Sequence, residues 1–240
     1  MSNTLNNYND FIENLLASGF SLGSGNNEGI YAIVDFNWLN APVGSPIIWH
    51  SGDRETDPWE WRIRVLNERS DISYAKCFFK KSGYIIKEFY PYFLSLRRGG
   101  RDFEDDYADG LISNEAKRIY SAVCENGELP LHEIKASAGF GRTAINRGEK
   151  GKFDAALIEL QMRLYLTICA THRRVNAKGE EYGWDTTMFC TTEHFWDGTD
   201  VFDLAAQLDE SDAYATIRER VLQLNPAADE KRIRRFAYGQ

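Results

Sequence analysis

From Ser113 to Thr191 the apolar residues fall into one order, and it restricts the fold more than any other feature of the chain. Ser113 or Asn114 can accept the first free amides of a helix. Ile119, Tyr120, Val123 and Cys124 then recur on one helical face before Gly127. Leu129-Pro130-Leu131 begins a shorter helix through Ile134 and Ala138, broken by Gly139-Phe140-Gly141. A basic, glycine-containing loop follows, and Asp154 to Cys169 reads as a long apolar helix. His172 to Val175 reads as a strand, Asn176-Ala177-Lys178-Gly179 as a turn, and Trp184 to Thr191 as the returning strand. Helix, short helix, longer helix and two-stranded hairpin is the order of a winged helix-turn-helix.

The flanks add elements on both sides. Phe11 to Ser18 carries an apolar helical stripe, with Asp10 as its cap and Gly19 as its stop. Gly29 to Phe36 is β-branched and reads as a strand, and Asn37 to Pro58 is rich in turn residues. Asp57-Pro58 starts a helix that runs to about Asn67, with Asp57 as cap and Pro58 in the first turn. Cys77 to Lys81 and Tyr84 to Ile86, on either side of Gly83, suggest strands or a strand and turn, Glu88 to Arg98 a helix, and Arg101 to Gly110 an acidic loop. Val201 to Leu208 and Asp212 to Leu224 read as helices, and Pro226 precedes a last basic segment, Lys231 to Arg235. The expected fold is α+β and mainly helical. A mixed region (1–112) precedes the winged helix-turn-helix (113–196), and a helical extension follows (197–240).

Trp49 to Arg64 concentrates the chemistry. It holds Trp49, Trp59 and Trp61 beside four carboxylates, three arginines and His50. Burying an unpaired charge is costly, so such a mixture suits the wall of a cleft better than a plain core element. Trp59 and Trp61 are candidates to stack a planar ligand such as an unstacked nucleobase. His50, Asp53 and Asp57 are the candidate catalytic groups, and Arg62 a candidate anion contact. The competing assignment makes Asp57 a helix cap, places Trp59 in the core and puts Arg62 and Arg64 in surface ion pairs.

The net charge of −8 argues against indiscriminate binding to phosphate backbones. Residues 113–196 are where a locally positive face is easiest to build. The candidate nucleic-acid contacts are Arg97, Arg98, Arg142, Arg147, Lys150, Lys152, Arg173, Arg174 and Lys178. The loop at Arg142 to Lys152 precedes a helix start, where free amides favour phosphate, although it lacks P-loop spacing. The 154–169 helix offers mostly apolar side chains, so base reading in a major groove has little material there. Lys80 and Lys81 beside Phe78 and Phe79 could form a desolvated amine, or simply end a half-buried strand.

Cys77, Cys124, Cys169 and Cys190 form no CxxC pair. Cys169-x2-His172 and Cys190-x3-His194 have zinc-type spacing, but both cysteines lie in apolar runs where they pack as small hydrophobes. No metal and no cofactor are expected. No apolar run reaches membrane-spanning length, and Met1 to Asn9 lacks the pattern of a secretory signal. The expected location is cytoplasmic, with reduced thiols.

The GDRETDPWEW block, the Tyr74 to Lys81 run, Tyr90-Pro91-Tyr92-Phe93 before Arg97-Arg98, and Tyr182-Gly183-Trp184 together resemble the AlkZ-related proteins. These are distant winged-helix relatives of the AlkZ DNA glycosylases, and the resemblance covers most of residues 5 to 225. It implies a nucleic-acid-binding protein connected with DNA repair, with DNA as partner. In the glycosylases, catalysis is attributed to two glutamines one residue apart that position a water. Gln161, Gln207, Gln223 and Gln240 contain no such pair, so no catalytic residue carries over. The alternatives are a protein-interaction module and an enzyme acting on a modified nucleobase.

Overall fold

The computed structural model describes residues 5–140, 147–172 and 185–240, with the backbone alone at 147–149. The architecture is α+β. Helix α1 spans Tyr8–Ser18, and its cap is Asn7, whose side chain accepts the Asp10 amide at 3.0 Å. Gly19 ends it at φ 90°, and a Cβ there would meet the Phe89 ring, so only glycine fits. Strand β1, Phe20–Leu22, follows at once. Helix α2, Pro58–Glu68, starts at Asp57-Pro58 as the capping pattern requires.

Strands β2 (Ile72–Phe78) and β3 (Lys81–Ile86) form a hairpin whose two turn residues, Phe79 and Lys80, both have positive φ. Such turns normally use Asn or Gly. Here packing overrides local preference, because Phe79 lies against Phe236 and the Lys80 amide donates to Met162 Sδ at 3.2 Å. Helices α3 (Tyr90–Arg98) and α4 (Phe103–Ala108) come next. They are followed by α5 (Asn114–Asn126), β4 (Leu129–Pro130), α6 (Leu131–Ser137) and α7 (Arg147–Met162). Strands β5 (Leu166–His172) and β6 (Thr186–Thr191) precede α8 (Thr192–Phe195), α9 (Val201–Gln207), α10 (Glu210–Leu224) and α11 (Glu230–Tyr238).

The strands form one antiparallel sheet in the order β1-β3-β2-β5-β6-β4. Its two halves meet at Tyr74 and Ile168. The joint is reinforced by the Ser73 and Thr167 hydroxyls at 2.9 Å and by Gln161 Oε1, which accepts the Lys76 amide at 2.9 Å. Two apolar cores result. One gathers α1, α2, α5 and α7 around residues such as Trp61 and Leu160. The other gathers α3, α10 and α11 around Phe93, Phe236 and Ile217.

Several expectations are corrected. The helix expected at 154–169 stops at Met162; Leu164 turns the chain at φ 60°, and Leu166 opens a strand. A short apolar run has no decisive period, and pairing with β6 decides it. The strand expected at 29–36 is irregular, because the Ser21 hydroxyl takes the Ile33 amide at 3.0 Å in place of a ladder partner. The acidic loop at 101–110 contains α4, capped by Asp102, since carboxylates favour a helix N-terminus. Leu129-Pro130 is a strand on β6, and the last basic segment is part of α11. The wing turn at 176–179 lies outside the described residues.

Candidate functional site

The Trp49–Arg64 block divides into a structural half and an open half. Asp57 is fully buried. Its Oδ1 accepts the His50 amide at 3.0 Å and the Trp59 amide at 2.8 Å, and its Oδ2 accepts the Gly52 amide at 3.0 Å. Three main-chain donors leave it no role as a free base, which corrects that assignment. Asp53 Oδ1 accepts the Glu55 and Thr56 amides and shapes the turn before α2. Trp61 is also corrected. It is fully buried, stacks on Phe11 at 5.2 Å and donates Nε1–H to the Glu55 carbonyl, so it cannot meet a ligand. His50 stays exposed with φ 58°, its ring 5.2 Å from Trp59. Asp57→Ala removes a cap and orphans two further amides. It should lower unfolding free energy by about 2 kcal/mol in urea melts; a loss below about 0.5 kcal/mol would contradict this role.

The open half forms one wall of a pocket of about 380 Å³ between α2, β2, β3 and the loop after β1. Trp59 is half-buried there, and the Arg62 guanidinium carbon lies 3.7 Å from the centre of its ring. The stack shields Arg62 Nε, which has no hydrogen-bond partner among the described residues; neither has Trp49 Nε1 in the same wall. Tyr74 and Tyr84 line the floor with ring centres 4.8 Å apart. Burial pushes the Tyr84 phenol well above its ordinary range, with the neighbouring Tyr74 adding to the rise and Arg62 opposing it. Gly23 closes the loop side. Its amide donates to the Ser82 carbonyl at 2.7 Å, and a Cβ would lie 2.7 Å from that oxygen.

The pocket is cationic. Arg62, Lys76 and Lys80 line it, and among the described residues none has a carboxylate within ion-pair distance. Lys76 is the one exposed position of β2. Among the described residues Glu28 is the only carboxylate in the wall, and it is held by Lys81 at 2.5 Å and Arg232 at 2.5 Å. The hydrogen bond from Lys81, followed by the charges of Lys81 and Arg232, keeps its carboxyl below the ordinary range. Glu28 is therefore ionised and doubly paired, which makes it a poor proton acceptor. Beyond the mouth, α11 adds Arg232 and Arg235, the latter 5.7 Å over Phe79 at the hairpin turn.

Among the described residues, the nominated basic side chains do not line that pocket. Arg97 and Arg98 are buried, which corrects their assignment as nucleic-acid contacts. Arg97 donates to the carbonyls of Cys77, Met162, Phe236 and Ala237. Arg98 is held by Glu193 at 2.6 Å, the Leu164 carbonyl and the Thr192 hydroxyl. Lys152 pairs with Glu115 at 3.3 Å, and Lys150 is exposed. Arg142, Arg173, Arg174 and Lys178 lie outside the described residues, as does the side chain of Arg147. Sequence reasoning missed Lys76, Tyr84, Glu28 and Arg232 as neighbours. A solitary Lys in the otherwise apolar run 72–78 is the signal that marks Lys76.

Fold and site together define an α+β protein with an aromatic, cation-lined pocket against an antiparallel sheet. The chain belongs to the AlkZ-related family, whose model matches residues 5–238. Neither a curated protein nor a solved structure matches it. Among the described residues no helix is long and apolar enough to cross a membrane, and no group of three or more potential ligands is placed to hold a metal ion.

Proposed function

We propose that this chain is a nucleic-acid-binding protein connected with DNA repair, and that it holds one unstacked nucleotide in the Trp59 pocket. One observation carries the reading. Arg62, Lys76 and Lys80 stand without carboxylate partners among the described residues, around the half-buried Trp59 ring, in a chain whose net charge is −8. Unpaired cations beside a ring face suit a phosphate next to a planar base. Family membership supports the DNA-repair connection, since the family is named for its relation to AlkZ.

Residues 113–196 are read as a winged helix-turn-helix, from the succession α5, β4, α6, α7, β5, β6 and the pairing of β6 with both β4 and β5. Helix α7 commits Phe153, Ala156, Leu157 and Leu160 to the core, and Gln161 to the Lys76 amide and the Leu157 carbonyl. Its exposed residues include Lys150, Lys152, Asp154 and Ala155, which offer little for reading base edges. The pocket is thus favoured over the helix as the specific contact. Binding is favoured over base chemistry, because Glu28, the one carboxylate among the described residues of the wall, is doubly paired.

Fluorescence anisotropy with labelled single-stranded and duplex oligonucleotides tests the reading. Binding should weaken steeply between about 50 and 200 mM salt. Trp59→Ala should weaken single-strand binding about tenfold while leaving the salt slope unchanged, because stacking releases no counterions. Absence of affinity for every oligonucleotide at low salt would sink the reading. A stable protein partner recovered in that case would favour an interaction module.

A further inference from the structure

Four of the most exposed large apolar side chains among the described residues lie on one short loop. Trp38 is 63% exposed, Leu39 72% and Ile48 59%, and Val43 is fully exposed. Between Asp35 and Asp53 the chain has no Asp, Glu, Lys or Arg, although charged residues make up 27% of the whole. Scattered surface hydrophobes need no explanation, but four on one short stretch without a charged residue do.

The loop is braced from within and anchored at both ends. The Asn37 side chain accepts the Leu39 amide at 2.9 Å, and Asn40 Oδ1 accepts the Asn37 amide at 2.8 Å. Ser45 and Pro42 close a second turn at 3.0 Å. Val34 and Ile47 are buried in the core on either side, so the tips are held out while the base is held in. Both ends also join the pocket wall. The Gly25 amide donates to the Val34 carbonyl at 2.8 Å, and Trp49, next after Ile48, lines the pocket. A polyanion lying on Lys76 and Lys80 reaches the Trp49 end of this loop, which carries no carboxylate to repel it.

We propose that the 37–48 loop is a wedge that enters a base step of bound duplex and unstacks it beside the Trp59 pocket. Apolar side chains inserted between base pairs offset the loss of stacking by burying their own surface, and they kink the duplex. The inference rests on the nucleic-acid reading above. It adds which segment opens the duplex and why a duplex, not only a single strand, would be engaged.

A duplex carrying 2-aminopurine, whose emission rises on unstacking, tests it. Saturating wild-type protein should raise the emission. Trp38→Ser with Leu39→Ser should abolish the rise and weaken duplex binding about tenfold or more, while single-strand affinity stays within about twofold. Both side chains are exposed, so the variant should fold normally, which circular dichroism would check. Saturable duplex binding without a rise, or a rise that survives in the double variant, overturns the wedge and leaves the binding reading intact. Absence of any nucleic-acid binding overturns both. Sedimentation with anionic phospholipid vesicles that depends on Trp38 and Leu39, with duplex binding unaffected by them, would overturn the wedge and assign the loop to a membrane surface.

Discussion

Replacing Arg97 by methionine is expected to destabilise the fold by about 3–5 kcal/mol, the scale of breaking a buried ionic cluster. The guanidinium donates from Nε to the Ala237 carbonyl at 3.0 Å and from Nη2 to Phe236 at 2.9 Å. Its Nη1 reaches Cys77 at 2.8 Å and Met162 at 2.9 Å. Met162 ends α7, and Phe236 and Ala237 lie in the last turn of α11, so three of the four acceptors are carbonyls that helix ends leave unpaired. The negative ends of two helices therefore converge on one cation. Burial pulls the Arg97 pKa down to about 10, which still leaves it charged near neutrality. Methionine fills the space but orphans all four oxygens. Lysine restores the charge, yet one ammonium cannot match a planar fork with four acceptors, so Arg97→Lys should also lose about 2 kcal/mol. Guanidinium denaturation measures both; a loss under about 1 kcal/mol for the methionine variant would show that the carbonyl cage is not the joint between α3, α7 and α11.

The second large effect concerns the pocket. Changing Arg62, Lys76 and Lys80 together to glutamine should weaken binding to single-stranded DNA about 100-fold at low salt. It should also reduce the slope of log affinity against log salt by about 2, since each lost phosphate contact removes about 0.7. Lys76 and Lys80 are exposed, and Arg62 is held by its stack on Trp59 without a carboxylate partner among the described residues, so stability should change little. A stable triple variant with unchanged slope would place the phosphate path elsewhere, on Lys150 or α11. This is a charge effect, distinct from the salt-independent loss expected for Trp59→Ala.

Local chemistry made parts of the molecule legible from sequence. Asp57-Pro58 starts α2 because a capping carboxylate and a proline that needs no amide partner are both local requirements. Gly19 and Gly127 end their helices for the same kind of reason. The strand expected at 84–86 falls within β3, but the one expected at 77–81 runs through the turn at Phe79-Lys80, whose positive φ no local residue preference signals. What was not legible depends on distant partners. Arg97 and Arg98 look like an exposed basic pair at a helix end, and only the carbonyls of residues 77, 162, 164, 236 and 237 draw them inside. Trp61 sits two residues from Trp59, but the helical turn points it into the core against Phe11. Leu164 to Cys169 has no period that separates helix from strand until β6 pairs with it. Lys76, Glu28 and Arg232 are far apart in sequence and meet only once β1, β3 and α11 are assembled.

The central claim is that the cation-lined Trp59 pocket binds nucleic acid, and the salt dependence of wild-type affinity for a short single-stranded oligonucleotide tests it most directly. Three phosphate contacts predict saturable binding at about 50 mM salt, with a slope of log affinity against log salt of about −2. A slope near zero, or no saturable binding at that salt, would contradict it.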